Sequence, residues 1–203
     1  MNFYIADTHF GHANILKYDN RPFMSVEEMD RAIIFNWNKA VTNTDIVYIL
    51  GDVSWYTRAS GKTSEILSQL NGYKILIRGN HDNRLSDIDK KYFGQIMDYA
   101  EIIDDSTGAN GAKIVLSHYP IPFYKNMPHG DYHFYGHIHN GWDHNMMEHW
   151  RKEIENLYMR EWRGYNVGCM MPYMNYTPRT FREIVEGFRG LEVVKKEQTK
   201  VVR

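Results

Sequence analysis

Five apolar runs of this chain end in the same kind of chemistry. "NFYIADTH" closes on Asp7 and His9, "DIVYILGD" on Gly51 and Asp52, and "YKILIRGNHD" on Asn80, His81 and Asp82; "AKIVLSH" closes on His118 and "YHFYGHIH" on His137 and His139. Carboxylate oxygen, amide oxygen and imidazole nitrogen together suit borderline first-row divalent ions such as Mn²⁺, Fe²⁺ or Zn²⁺, and no thiolate accompanies them to dictate zinc. These are too many ligands for one ion. One carboxylate can bridge two ions through its two oxygens, and two ions ~3.5–4 Å apart form the clamp used in phosphate-ester hydrolysis. The bland alternative, a set of satisfied core polar residues, would need all five run-ends to agree by chance.

Elements must bring these ends together. The runs at 2–7, 45–52, 73–80, 112–118 and 132–137 are rich in β-branched and aromatic residues and too short for helices, so they read as strands, with "YNVGC" (165–169) as a sixth. Near-continuous apolar character in "IVYIL" and "KILI" suits strands covered on both faces. In open α/β sheets ligands bind beyond the carboxyl ends of the strands, which is where these side chains would converge. Gly51, Gly79 and Gly136, each preceding a candidate ligand, let the backbone turn sharply there.

Helical patterns alternate with the runs. Ser25 and Glu28 form a capping box ahead of an apolar stripe of Val26, Met29, Ile33, Trp37 and Ala40. "TSEILSQL" (63–70) stops at Asn71-Gly72, "SDIDKKYFG" (86–94) reads as a short helix, and 177–188 reads as a helix with Thr177 as cap and Pro178 at its first position. "DDSTGANGAK" (104–113) reads as the turn of a hairpin. Residues 140–164 read as a helical insertion bordering the site. Its stripe of Met147, Trp150, Ile154 and Leu157 should pack on its own domain, with a lid or a dimer seam as the sharper alternative. The expectation is one α/β domain over 1–203.

Composition narrows the class. At 203 residues the chain can bury one sizeable core, and a net charge of −1 offers no electrostatic footprint for nucleic acid. Cys169 stands alone, so no disulfide framework or cysteine zinc site is expected. No signal-peptide pattern opens the sequence and no apolar run approaches the ~18 residues of a membrane span, so a cytoplasmic protein without membrane contact is expected. "ASGKT" (59–63) lacks the earlier glycine of a nucleotide-binding loop, where Tyr56 stands instead. "HNMMEH" (144–149) has neither helical zinc spacing, and His129 and His133 read as packing or rim residues.

The ordered set D-x-H (7–9), G-D (51–52), G-N-H-D (79–82), a lone H (118) and G-H-x-H (136–139) resembles the calcineurin-like metallophosphoesterase superfamily. "DTHFGHANIL", "NRPF" and "YNVG" further resemble its small stand-alone bacterial and phage-type members. The resemblance implies a two-sheet β-sandwich flanked by helices, in four layers α/β/β/α. It implies one ion held by Asp7, His9, Asp52 and His139, and a second held by Asp52, Asn80, His118 and His137, with Asp52 bridging. His81 would be the proton donor to the leaving group. The cofactors implied are two divalent ions per chain, manganese first, with iron, zinc or nickel as alternatives. A hydroxide bridging them would attack phosphorus in line, with no covalent phosphoenzyme.

One departure matters. The protein-phosphatase branch follows its G-D with D-R-G, whereas "GDVSWYTR" lacks it. A small phosphodiester or nucleotide-like substrate is therefore favoured over a phosphoprotein, and the acid that would orient His81 is left open, with Asp82 tying the loop together. His12 and Asn14 are candidates for substrate phosphate, with capping or loop roles as the equal alternative, and Arg84 is a candidate phosphate clamp or a solvated arginine at a helix start. Arg21 is a weaker candidate. A nuclease of the same superfamily and a non-catalytic metal-binding scaffold are the competing readings, and a homodimer is compatible with the sequence.

Overall fold

β1 (Asn2–Ile5), β2 (Ile46–Ile49) and β3 (Tyr73–Ile77) lie parallel, in a register that sets Ile5 beside Ile49 and Ile49 beside Leu76. Their carboxyl ends are therefore level. The computed structural model describes residues 1–108 and 110–201, with side chains described to residue 192. Parallel neighbours need crossovers. These are α1 (Ile15–Tyr18) with α2 (Val26–Ala40), then α3 (Lys62–Gln69), then α4 (Asp87–Lys90) leading to β4 (Phe93–Met97). β9 (Arg179–Thr180) adds antiparallel to β1, giving the order β4-β3-β2-β1-β9.

The second sheet runs β5 (Tyr99–Asp104), β6 (Ala112–Ser117), β7 (Tyr132–Tyr135) and β8 (Gly164–Asn166). β5 and β6 form the expected hairpin, while β6, β7 and β8 are parallel. Alternation along these strands sorts the residues to two cores. Ile114, Leu116 and Phe134 join the core between the sheets, where Phe134 meets Tyr4 edge-on at 4.9 Å between centroids. Val115 and Tyr135 face outward, into a smaller core closed by Met147 and Ile154 of α5 (Trp142–Tyr158) and by Trp162. On the other side Met29, Ile33 and Trp37 of α2 are fully buried, and α6 (Phe181–Val201) adds Ile184 and Val185. The sandwich flanked by helices is the architecture the sequence implied.

Four local expectations need correction. α4 ends at Lys90, and Phe93 instead starts β4, pairing with Lys74 of β3; a side chain at Gly94 would collide with the ring of Tyr73, so the backbone there serves sheet rather than helix. α6 begins after Thr180 and not Thr177, because Arg179 and Thr180 pair with β1. Thr180 and Glu183 then make the reciprocal capping contacts, Thr180 N–H to Glu183 at 2.9 Å and Glu183 N–H to Thr180 Oγ1 at 3.4 Å. Ser25 accepts from Glu28 N–H as expected, but the Glu28 carboxylate takes the N–H of Met24. In α5, Met147 and Ile154 are buried whereas Trp150 and Leu157 are exposed, so only half the stripe packs on this chain.

Candidate metal centre

Each strand end turns its side chain into one crevice. Asp7 and His9 lie just past β1, Asp52 past β2, Asn80 past β3, His118 past β6, and His137 and His139 past β7. Their ligand atoms form two groups, Asp7 with His9 and His139, and Asp52 with His118 and His137, in each of which all atoms lie within 4.8 Å. Asp52 joins the two. Its Oδ2 is 3.7 Å from His9 Nε2 and 3.6 Å from His118 Nε2. Its Oδ1 accepts the His81 N–H at 2.9 Å. One oxygen, rather than two, thus faces both groups. Asn80 Oδ1 sits 3.1 Å from His118 Nε2, within the second group.

Close backbone approach makes this possible. A Cβ at Gly136 would lie 2.6 Å from Ala6 Cβ and 2.7 Å from Asp7 Oδ2, and one at Gly79 would collide with Asp52. Of the three glycines ahead of ligands, only Gly51 also needs a positive φ, +86°.

Two of the imidazoles are held by their far nitrogens. His118 Nδ1 lies 2.7 Å from the Leu50 carbonyl, and His139 Nδ1 lies 2.7 Å from Asp19 Oδ1. Each Nδ1–H donates outward, which leaves Nε2 as a lone pair directed inward, the usual arrangement of a ligating histidine. Asp19 is itself fixed by Arg21, whose Nε donates to Asp19 Oδ2 at 2.9 Å while its Nη atoms donate to the carbonyls of Asp7 and Thr8. Burial raises the Asp19 carboxyl, but its hydrogen bond to His139 and the charges of His139 and Arg21 outweigh that and hold it below the usual carboxylate range. Asn166 donates to the His139 carbonyl at 2.7 Å. Sequence reasoning missed Asp19 and Asn166 and underrated Arg21; "NRPF" and "YNVG" were the only signals near them.

The donor set fits cations. Burial pushes the Asp7 carboxyl up, with His139 and His118 opposing it, and the hydrogen bonds its oxygens accept come from one backbone N–H, that of His137 at 3.1 and 3.0 Å. Burial holds His9 well below the usual imidazole range, helped by His139 and Arg21, and lowers His137 too, helped by His118. His9 Nε2 faces His139 Nε2 at 3.2 Å, and buried His9 Nδ1 has no hydrogen-bond partner among the described residues. Buried carboxylates with ring nitrogens turned toward them are costly alone and suited to positive ions.

The remaining candidates separate. Asp82 accepts from the N–H groups of Asp52, Gly79 and Val53 at 3.0, 2.7 and 2.9 Å, so it ties two loops and does not orient His81. Burial pushes its carboxyl up to about 6 despite those donors. His81 is half-buried, with Nε2 3.9 Å from Asp52 Oδ2. His12 is buried and its Nδ1 accepts the Ile15 N–H at 2.8 Å, which is the capping role. Asn14 is exposed at the start of α1. The Arg84 guanidinium lies 3.9 Å over the ring of Trp55, a residue to which the sequence reading gave no role. α5 starts three residues past His139, and Asn140 between them donates to the Asp19 carbonyl at 3.0 Å.

The chain is similar to several known proteins. The 27% identical protein of unknown function from Aquifex aeolicus shares the fold over 92% of this chain and 98% of its own, with a TM-score of 0.65. An uncharacterized protein of Methanocaldococcus jannaschii is 45% identical over 57% of this chain, and the gene 66 protein of Mycobacterium phage D29 is 30% identical over 58%. The matched segments span 57% and 62% of those two relatives. Residues 3–141, which hold every candidate ligand, match the family described as calcineurin-like phosphoesterase, and the chain belongs to that family.

Proposed function

We propose that this chain is a metal-dependent phosphoesterase that works with two divalent ions, manganese first, on a small phosphodiester or nucleotide-like substrate. The observation that carries the reading is Asp52 Oδ2 standing within 3.6–3.7 Å of an imidazole nitrogen from each ligand group. Bound there, two divalent ions would supply Lewis acidity toward phosphoryl oxygens and bring the pKa of water near neutrality. Asp7, His9, Asp52 and His139 would hold one, and Asp52, Asn80, His118 and His137 the other. Asp19 and Leu50 keep His139 and His118 in the tautomer that offers Nε2. His81, half-buried at the edge of the crevice, donates its proton to the departing oxygen. The substrate class follows from "GDVSWYTR", which lacks the D-R-G of protein phosphatases.

The test is turnover by protein stripped with a chelator and reloaded with Mn²⁺, against aryl and alkyl phosphodiesters, nucleotides, phosphoserine peptides and DNA. Metal-dependent hydrolysis is expected, with kcat/KM on a diester above that on every phosphopeptide. Preference for phosphopeptides would reverse the substrate assignment. Fastest turnover of DNA would make the chain a nuclease, and no turnover with any metal would leave a scaffold.

A further inference from the structure

Catalytic histidines are commonly oriented by a hydrogen-bonded carboxylate, and among the described residues the His81 ring has none. Both Asp82 oxygens are taken by backbone N–H groups. Asp52 spends Oδ1 on the backbone N–H of His81, and its Oδ2 is 3.9 Å from His81 Nε2, beyond hydrogen-bond reach. The imidazole packs instead against an indole: Trp55 meets it edge-to-face, with centroids 4.6 Å apart and planes at 64°. That indole is clamped on its other sides. The Arg84 guanidinium lies 3.9 Å from its centroid and has no carboxylate partner among the described residues. His12 meets it at 4.1 Å and 77°, and is itself pinned by the Ile15 N–H. The Trp55 backbone N–H donates to the Phe10 carbonyl at 2.8 Å. Three loops thus converge on one rigid ring.

We propose that Trp55 is the positioning residue for His81, setting the plane of the imidazole by edge-to-face packing. The proposal rests on the ester hydrolysis proposed above. Such a contact fixes orientation without adding a charge beside the ligands. It also gives Arg84 and His12 their work, which is to hold the indole.

The experiment is a double-mutant cycle on manganese-loaded protein, with metal content measured for every variant. Trp55→Ala should keep both ions and lower kcat on an alkyl phosphodiester by ~10- to 100-fold, as a misplaced catalytic group does, with little change in KM. Trp55→Phe should recover most of the rate. Because Trp55 acts through His81, the Trp55→Ala, His81→Ala double variant should be no slower than His81→Ala alone. Losses that multiply, or a loss confined to KM, would overturn the proposal and make Trp55 a substrate-stacking surface. A second measurement does not need activity. In ¹³C-histidine-labelled protein, the His81 ring resonance, assigned by its absence in His81→Ala, should move when Trp55 becomes Ala and stay close to its place when Trp55 becomes Phe. An unmoved resonance overturns the contact itself. A wild-type protein without ester turnover, but with the expected resonance shift, would refute the proposed function and leave the Trp55–His81 pairing standing.

Discussion

Asp7, His9, Asp52, His137 and His139 all have positive φ, between 46° and 70°. For residues other than glycine this left-handed region costs about 1–3 kcal/mol each and persists where the surroundings over-determine it. Asp and His tolerate it better than most. The strain turns each side chain off the strand direction and into the crevice. A substitution that preserves the backbone but removes ligand charge therefore separates metal binding from folding. Asp52→Asn can still accept the His81 N–H, yet should lose ions from both groups, whereas His9→Ala should weaken mainly one. Elemental analysis with circular dichroism checks this, and an Asp52→Asn protein that keeps two ions would refute the shared oxygen. That the candidate ligands come together was legible in the sequence, because the same chemistry recurs at five strand ends. Asp19 was not, since it touches a ligand's far nitrogen and needs no particular spacing in the chain. Trp55 was not either: an indole that orients a histidine has the same sequence signature as one that fills a rim.

The strands and helices position the site through close approach and through a few buried polar contacts. β1 and β7 lie so near at Gly136 that even one methyl group must displace Ala6 or Asp7. Gly136→Ala should lower stability by roughly 1–3 kcal/mol, the usual cost of overpacking, and reduce metal content at the Asp7 group more than at the other. Thermal unfolding and metal analysis of the variant check both. α2 reaches the first ligand loop through Asp30, whose two oxygens lie 3.1 Å from the Gly11 N–H and which accepts the Tyr56 hydroxyl at 2.9 Å. Burial pushes this carboxyl up to about 6, against an ordinary aspartate near ~3.9. Between those values the folded protein keeps a proton that the unfolded chain has released. The resulting stability is fully present below about pH 4 and is lost as pH rises through about 6. Asp30→Asn cannot ionise, so on metal-free protein it should lose up to about 3 kcal/mol less than wild type between pH 4 and pH 7. Parallel pH profiles of unfolding free energy would refute this. At this scale the sequence was legible where periodicity was strong, as in α2. It was not legible at β4, where "FGQIM" has no alternation and draws its strand character from pairing with β3. It misled at Thr177, because β9 occupies the residues that would have opened the helix.

The whole molecule divides the candidate ligands between its two sheets. Asp7, His9, Asp52 and Asn80 follow strands of the first, and His118, His137 and His139 follow strands of the second. Each proposed ion would therefore require the sandwich to be closed, and neither candidate ligand group exists in the unfolded chain. Ligands that bind only the folded state stabilise it by mass action, by about 2.7 kcal/mol for one site at a hundredfold excess over its Kd. For a chain of 203 residues each kcal/mol raises Tm by roughly 2–4 °C, so one filled site should add about 5–11 °C. Filling both with Mn²⁺ should therefore raise the Tm of chelator-stripped protein by at least that much. The gain should vanish in Asp52→Asn and shrink to about one site's worth in His9→Ala. Ligands confined to one sheet would give a different result if that half kept its fold and its metal while the other unfolded, because metal would then split the transition in two. Differential scanning calorimetry across a manganese titration distinguishes the two. A single transition that climbs with metal fits ions spanning the sandwich, whereas one that splits in two as metal is added would show that the ions are not held jointly by both sheets.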